Sequence, residues 1–231
     1  MSKLGHSDET YGNQEHYYNF FYSKMIGLNS TGFLSKLSKY PHKLMEKPFK
    51  SNLNFKILEL GSGEGEHIPF VASDYKQYIA SDLRELIHTK VDNANKIETQ
   101  VIDAHSLPFS DGEFNRVIAG CLIAHLSDPE TALLEWYRVL KPGGVLTIYI
   151  PAEPGLALRL FRSFVSKPKA TKIGFNGYDL FISREHVNDA NRLVFLLREF
   201  FLSCKIIYSP FRIRTWYFNL FIIAHIKKIN L

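Results

Sequence analysis

The chain has 231 residues, 45% apolar and 22% charged, which is enough for one α/β domain with a substantial core and leaves little room for a large disordered fraction. Its two cysteines, Cys121 and Cys204, lie far apart without C-x-x-C spacing; this argues against a disulfide framework or a structural zinc site and fits a reducing cytoplasm. The net charge of +5 conceals an asymmetry: residues 1–154 carry 15 Lys+Arg against 19 Asp+Glu, and residues 155–231 carry 13 against 4. The basic last third would favour an anionic partner, be it a phosphorylated small molecule, a nucleic acid or an acidic membrane surface, or else forms a solvated basic face.

In chain order, residues 1–52 are aromatic and polar, include Tyr17-Tyr18-Asn19-Phe20-Phe21-Tyr22, and are punctuated by Gly27, Gly32, Pro41 and Pro48; they read as a helical cap. The start is polar, with no basic and apolar leader of the secretory kind. From 53 to 151, short apolar runs alternate with amphipathic stretches, as in βαβ units around a parallel sheet. Strands are predicted over 56–60, 77–81, 99–102, 116–120 and 145–150. Helices are predicted over 66–73 and 129–140, the latter stopped by Lys141-Pro142-Gly143-Gly144.

Residues 152–203 read as acceptor-side helices: a basic helix over 156–165, a loop around Gly174 and Gly177, and a helix over 187–201. Runs at 204–208 and 218–226 would pair as a closing hairpin. The apolar stretch 216–226 contains Asn219 and His225 and is about half the roughly 20 residues a spanning helix needs, so no transmembrane segment is expected, although peripheral membrane contact is open. The whole, 1–231, reads as a single domain.

The first strand runs straight into Gly61-Ser62-Gly63-Glu64-Gly65. Glycines let the backbone turn sharply and approach a ligand, and a helix after them would present free N–H groups. G-x-G-x-G alone serves dinucleotides equally well, or merely closes a tight turn. Two features discriminate. The dinucleotide fingerprint wants a third glycine where Glu66 stands, and Glu59, Glu64 and Glu66 would repel a pyrophosphate while tolerating the sulfonium and ammonium of S-adenosylmethionine. Asp82, about 20 residues further on, can accept both ribose hydroxyls, and Asp103-Ala104 can meet an adenine edge; either aspartate can instead cap a helix.

The run Leu58-Glu59-Leu60-Gly61-Ser62-Gly63-Glu64-Gly65, Asp82, Asp103-Ala104-His105-Ser106-Leu107-Pro108-Phe109 and Cys121-Leu122-Ile123-Ala124-His125-Leu126-Ser127-Asp128-Pro129 through Arg138-Val139-Leu140-Lys141-Pro142-Gly143-Gly144 resembles class I S-adenosylmethionine-dependent methyltransferases of the ubiquinone/menaquinone-biosynthesis type, over about residues 55–151. The resemblance implies a doubly wound, Rossmann-like sheet of seven strands, one of them antiparallel, with an N-terminal helical cap and a helical insertion before the last hairpin. It implies that Glu59, Gly61, Ser62 and Gly63 surround the methionine end of the donor, that Asp82 and Leu83 meet the ribose, that Asp103, Ala104 and His105 face the adenine, and that Gly120 and Cys121 pass beneath the methionine. One departure is Phe114-Asn115-Arg116-Val117, where the fourth strand usually opens on an acidic residue; a surface difference is expected there.

Methyl transfer needs alignment and a dry pocket, and a base only if the acceptor loses a proton. His125, after the fourth strand, has a suitable ordinary pKa, but the position also suits a packing histidine. His186 is expected at a helix start, as acceptor contact or cap. Arg159, Arg162 and Arg184, with Tyr178, would clamp an anionic or phosphorylated small-molecule acceptor such as a nucleotide- or lipid-linked sugar. Tyr18 could close over the donor or pack in the core. No metal is implied. A quinone-type acceptor is the alternative; nucleic acid is disfavoured by the absence of a base-amine motif or appended binding domain. Oligomeric state is not readable.

Overall fold

Central strands buried along nearly their whole length need cover on both faces, and this chain supplies several. A computed structural model describes residues 32–49, 54–84, 96–175 and 177–229. Strands β1 (Phe55–Leu60), β2 (Tyr75–Asp82), β3 (Ile97–Val101), β4 (Phe114–Gly120), β5 (Leu140–Pro151), β6 (Cys204–Ser209) and β7 (Phe221–Lys227) form one seven-stranded sheet in the order β3-β2-β1-β4-β5-β7-β6. Strand β7 is antiparallel to both its neighbours and the other pairings are parallel, as the resemblance implies. The order reverses between β1 and β4, and at such a switch point the carboxyl ends of the strands splay into a crevice.

Two sequence expectations fail around the first crossover. The helix over 66–73 is a single 3-10 turn, Ile68–Phe70. Gly65 before it is left-handed at φ +77°, Pro69 lacks a donor, and Val71 already turns extended. Residues 61–74 are thus spent on turns. The loop therefore gains nothing from a following helix dipole. The second helix, α2 (Pro129–Arg138), forms with Asp128 accepting the Thr131 N–H at 3.1 Å, but Lys141 to Gly144 do not end it. They lie inside the early part of β5, with Gly143 at φ +77°.

The described part of the N-terminal cap is one helix, α1 (Gly32–Glu46), running through Pro41. Its last residue corrects the third expectation. Arg116 is no surface difference: it is fully buried, donates to both Glu46 oxygens at 2.8 and 2.5 Å, and lies 3.6 Å over the Phe49 ring. A guanidinium inside the sheet requires a carboxylate, and the fork geometry fits a bidentate one. The same Glu46 accepts from His67 and the Ala72 N–H at 2.8 and 2.9 Å, so α1 is bolted to β4 and to the segment after the glycine loop.

Between β5 and β6 run α3 (Leu156–Phe161), a π turn (Arg162–Ser166), α4 (Lys167–Lys172), α5 (Tyr178–Glu185) and α6 (Ala190–Phe200). The sequence reading passes over α5, whose Tyr178 and Phe181 bury against Ala170 and Phe175 in a small core of their own. Helix α6 starts at Ala190 because Asp189 caps it, accepting the Arg192 N–H at 2.9 Å.

Candidate active site

At the carboxyl end of β1, Gly61, Gly63 and Gly65 all have φ between +54° and +77°, which side chains with a Cβ rarely adopt. A Cβ on Gly61 would also stand 2.9 Å from Leu122 Cδ1. The loop is thereby pressed against the turn after β4. It is tied to β2 as well: Ser62 N–H donates to Ser81 O at 2.9 Å and Gly63 N–H to Asp82 Oδ2 at 3.2 Å, while Asp82 Oδ1 accepts the Arg84 N–H. Glu59 is buried, accepts the Tyr78 hydroxyl at 2.5 Å, and burial pushes its carboxyl up. At the end of β3, Asp103 accepts the His105 N–H and ring N–H at 2.9 and 2.8 Å, which hold it below the usual carboxylate range. Ala104 is buried, its carbonyl taking the Trp136 indole N–H; Leu83 stays exposed.

The turn after β4 gathers a cysteine and two histidines. Cys121 is left-handed at φ 64°, its N–H bonded to Tyr149 O on β5, and it opens the 3-10 turn Leu122–His125. Opposite stands His186, which caps the end of α5 rather than the start of a helix, because Asp189 and not His186 nucleates α6. The His125 and His186 rings meet edge to face at 4.7 Å between centroids, and donor atoms of Cys121, His125 and His186 lie within 4.8 Å of one another. His125 Nδ1 is 3.7 Å from Glu185, and His186 Nδ1 bonds Glu153, which also pairs with Arg162.

Burial pushes the Cys121 thiol up, but hydrogen bonds from His125 and His186 outweigh it and bring it down to about 6. Burial likewise opposes charge on His125, yet its bonds to Cys121 and Glu185 raise it to about 9. The result is a thiolate beside an imidazolium, the form in which a cysteine reacts or takes a proton. The trio has the donor chemistry of a zinc ligand set, with Glu153 bonded to His186 and Glu185 standing 3.7 Å from His125.

Of the expected site residues, Gly61, Gly63, Asp82, Asp103, Ala104, Gly120 and Cys121 share the carboxyl edge with His125, His186 and Arg162. Tyr18 lies outside the described residues. Arg159 and Arg184 point to solvent while Arg162 turns inward to Glu153, so the three do not converge as a clamp; Tyr178 is buried beneath α5. Sequence reasoning missed Glu153, Glu185 and Asn188. The buried Asn188 donates to Ile123 O and Leu126 O at 3.2 and 2.6 Å and its N–H to Ala124 O, pinning the α5–α6 junction onto the His125 turn. Glu185 is one of four acidic residues after position 154, a rarity that could have marked it. A cavity of about 470 Å³ bounded by Phe49, Val145, Leu202, Lys205 and His225 opens at the other end of the sheet, away from this chemistry.

Residues 58–148 match a family model described as a methyltransferase domain. This part of the chain is a methyltransferase domain. A ubiquinone/menaquinone biosynthesis C-methyltransferase of Rickettsia felis is 31% identical over 149 residues, 53% of this chain and 60% of that one. An uncharacterized methyltransferase of Schizosaccharomyces pombe is 34% identical over 114 residues, 47% of this chain and 45% of the other. The chain spans about half the length of the curated relatives it matches. The fold is that of an S-adenosylmethionine-dependent methyltransferase of Thermotoga maritima, TM-score 0.62 at 18% identity, covering 92% of this chain and 100% of that chain. The glycine loop fits S-adenosylmethionine: among the described residues Ser62 Oγ is buried with no hydrogen-bond partner, and a Cβ at Gly120 would meet none of them within 4 Å.

Proposed function

We propose that the chain moves the methyl group of S-adenosylmethionine onto a small-molecule acceptor seated over Cys121, His125 and His186, and that this acceptor is anionic or phosphorylated, as a nucleotide- or lipid-linked sugar is. The observation that carries the reading is the thiol–imidazole–carboxylate network at the end of β4, one turn from the glycine loop. In this reading Glu59, Gly61, Ser62 and Gly63 border the methionine end of the donor, Asp82 and Leu83 the ribose, and Asp103, Ala104 and His105 the adenine. The donor supplies an electrophilic methyl on a sulfonium, so the protein's work is alignment and removal of the acceptor's proton. Cys121 Sγ, ionised near neutral pH, accepts that proton; His125 stabilises the thiolate beforehand, and Glu185 and Glu153 hold the two rings in register. Leu122 and Tyr149 wall the turn.

The anionic acceptor is supported by the charge of the last third, to which Arg159 and Arg184, pointing to solvent and forming no clamp, add long-range attraction. Arg162 contributes less, since Glu153 answers its charge. All four segments, 1–52, 53–151, 152–203 and 204–231, serve one domain, and a reducing cytoplasm suits a site that needs a free thiol at Cys121. A quinone-type acceptor is the second reading, favoured by the name of the Rickettsia felis relative. Isotopically labelled donor offered with pools of phosphorylated sugars and of quinols, followed by mass analysis, separates them. Label on a phosphorylated sugar, with KM raised in Arg159→Ala/Arg184→Ala, supports the first; label confined to quinols supports the second. Donor bound without turnover in any pool overturns both.

A further inference from the structure

The carboxyl edge that holds the site is ringed by side chains a soluble enzyme would ordinarily bury. Helix α3 leaves β5 at this edge, and residues 210–220, joining the end of β6 to the start of β7, return to it. The two are packed together: Ala157 N–H donates to Tyr217 O at 3.2 Å, and a Cβ at Gly155 would lie 2.8 Å from Trp216 O. Leu156, Leu160 and Phe164, four residues apart through α3 and the π turn, are 37%, 48% and 76% exposed. In the loop Phe211, Ile213 and Phe218 are 63%, 49% and 47% exposed. Contiguous exposed apolar surface of this kind marks an interaction site.

The loop is braced to present these residues. The fully buried Asn219 donates to Ile213 O and Thr215 O at 2.9 and 2.7 Å, and its Oδ1 accepts the Phe211 N–H at 3.1 Å. Its three polar contacts fix the loop from within, so Phe211 and Ile213 cannot fold under without breaking them. Between the apolar residues stand the exposed Arg159, Arg212 and Arg214. No acidic residue occurs in 155–178 or in 200–231.

We propose that this face, α3 with the β6–β7 loop, docks on the surface of an anionic lipid bilayer. Aliphatic and aromatic side chains would enter the acyl boundary while the arginines pair with headgroup phosphates. Charge and shape decide the occupant. A second copy of the same face would set arginine against arginine with no carboxylate to answer it. A nucleic acid could stack on Phe164, Phe211 and Phe218, but it would leave Leu156, Leu160 and Ile213 without an apolar partner. Among the described residues no helix is long and apolar enough to cross a membrane. The inference is independent of the acceptor, because docking is read without turnover.

The test is co-sedimentation of the full chain with phosphatidylcholine vesicles, with and without phosphatidylglycerol, at low and high salt. Expected are binding that requires phosphatidylglycerol, weakens with salt, and falls roughly tenfold in Phe164→Ser/Phe211→Ser, with melting and donor binding of that variant unchanged. Arg212→Gln/Arg214→Gln should lose binding while its apolar face stays intact. The proposal is overturned by absence of binding at low salt, by equal binding to uncharged vesicles, or by undiminished binding of both variants. Loss in the variants of self-association or RNA retention, with vesicle binding preserved, would also overturn it.

Discussion

Two ion networks in this molecule use the same parts for opposite ends. Beneath the sheet, Glu46 accepts hydrogen bonds from Arg116, His67 and a backbone N–H, and is sealed between α1, β4 and the segment after the glycine loop. At the carboxyl edge, Glu153 answers Arg162 and His186, Glu185 stands by His125, and both rings converge on Cys121. In the first, hydrogen bonds from His67 and Arg116 hold the Glu46 carboxyl at about 2, ionised far below neutrality. The second keeps a thiol at about 6 and an imidazole at about 9, within reach of a proton's coming and going. What separates them is a thiol and an opening.

The largest effect that would test this contrast is on stability. Glu46→Ala leaves Arg116 buried without a counter-charge, and urea unfolding should show a loss of about 3–5 kcal/mol; a loss below about 1 kcal/mol would erase the distinction. Next, Cys121→Ala should lower turnover about a hundredfold, the low end for a proton-transfer residue, while unfolding midpoints move little. Equal activity in the variant would mean the acceptor needs no base, and stoichiometric metal in purified protein would mean the trio is a ligand set.

The pH dependence is subtler. Burial pushes the Glu46 carboxyl up, but bonds from His67 and Arg116 bring it from 4.5 to about 2; its contribution is complete above the ordinary value and is lost as pH falls toward 2. His42, lowered from 6.5 to about 4 by burial and then by His67, likewise costs stability as pH falls through that interval. His125 runs the other way: raised to about 9, it stabilises below its ordinary value and loses that contribution as pH climbs. Unfolding across pH should therefore show an acid limb flattened by Glu46→Gln and an alkaline limb altered by His125→Asn. Activity should fall below about 6 and above about 9, with the two limits belonging to the coupled pair and not to either residue alone. Smallest of all, Arg184→Ala on its exposed face should shift stability by no more than about 0.5 kcal/mol, and a larger change would place it inside the outer network.

What was legible beforehand was local. Strand periodicity and the glycine spacing are each read within a few residues, and the seven-stranded sheet with one antiparallel strand came from the resemblance those motifs carry. The helix over 66–73 failed because three left-handed glycines and Pro69 outweigh the apolar pattern once the crossover is this short. Arg116 was misjudged because its partner stands 70 residues away, and nothing in Asn115-Arg116-Val117 signals it. His186 was named, but its capping role depends on Asp189, and its place opposite His125 depends on Asn188 reaching across 62 and 65 residues. A site assembled by such reaches has no short signature.

The Arg116–Glu46 bolt also bears on how such chains can diverge. A helix ending in a buried glutamate and a strand bearing a buried arginine are a lock and its key, and they must be inherited together. Grafting residues 32–49 onto a relative with a carboxylate at the position of Arg116 would enclose two like charges in the sheet; changing both at once would restore the match. Among the described residues, the helices between β5 and β6 make no contact with this pair and are free to vary without that constraint, so the two ends of the sheet can change independently.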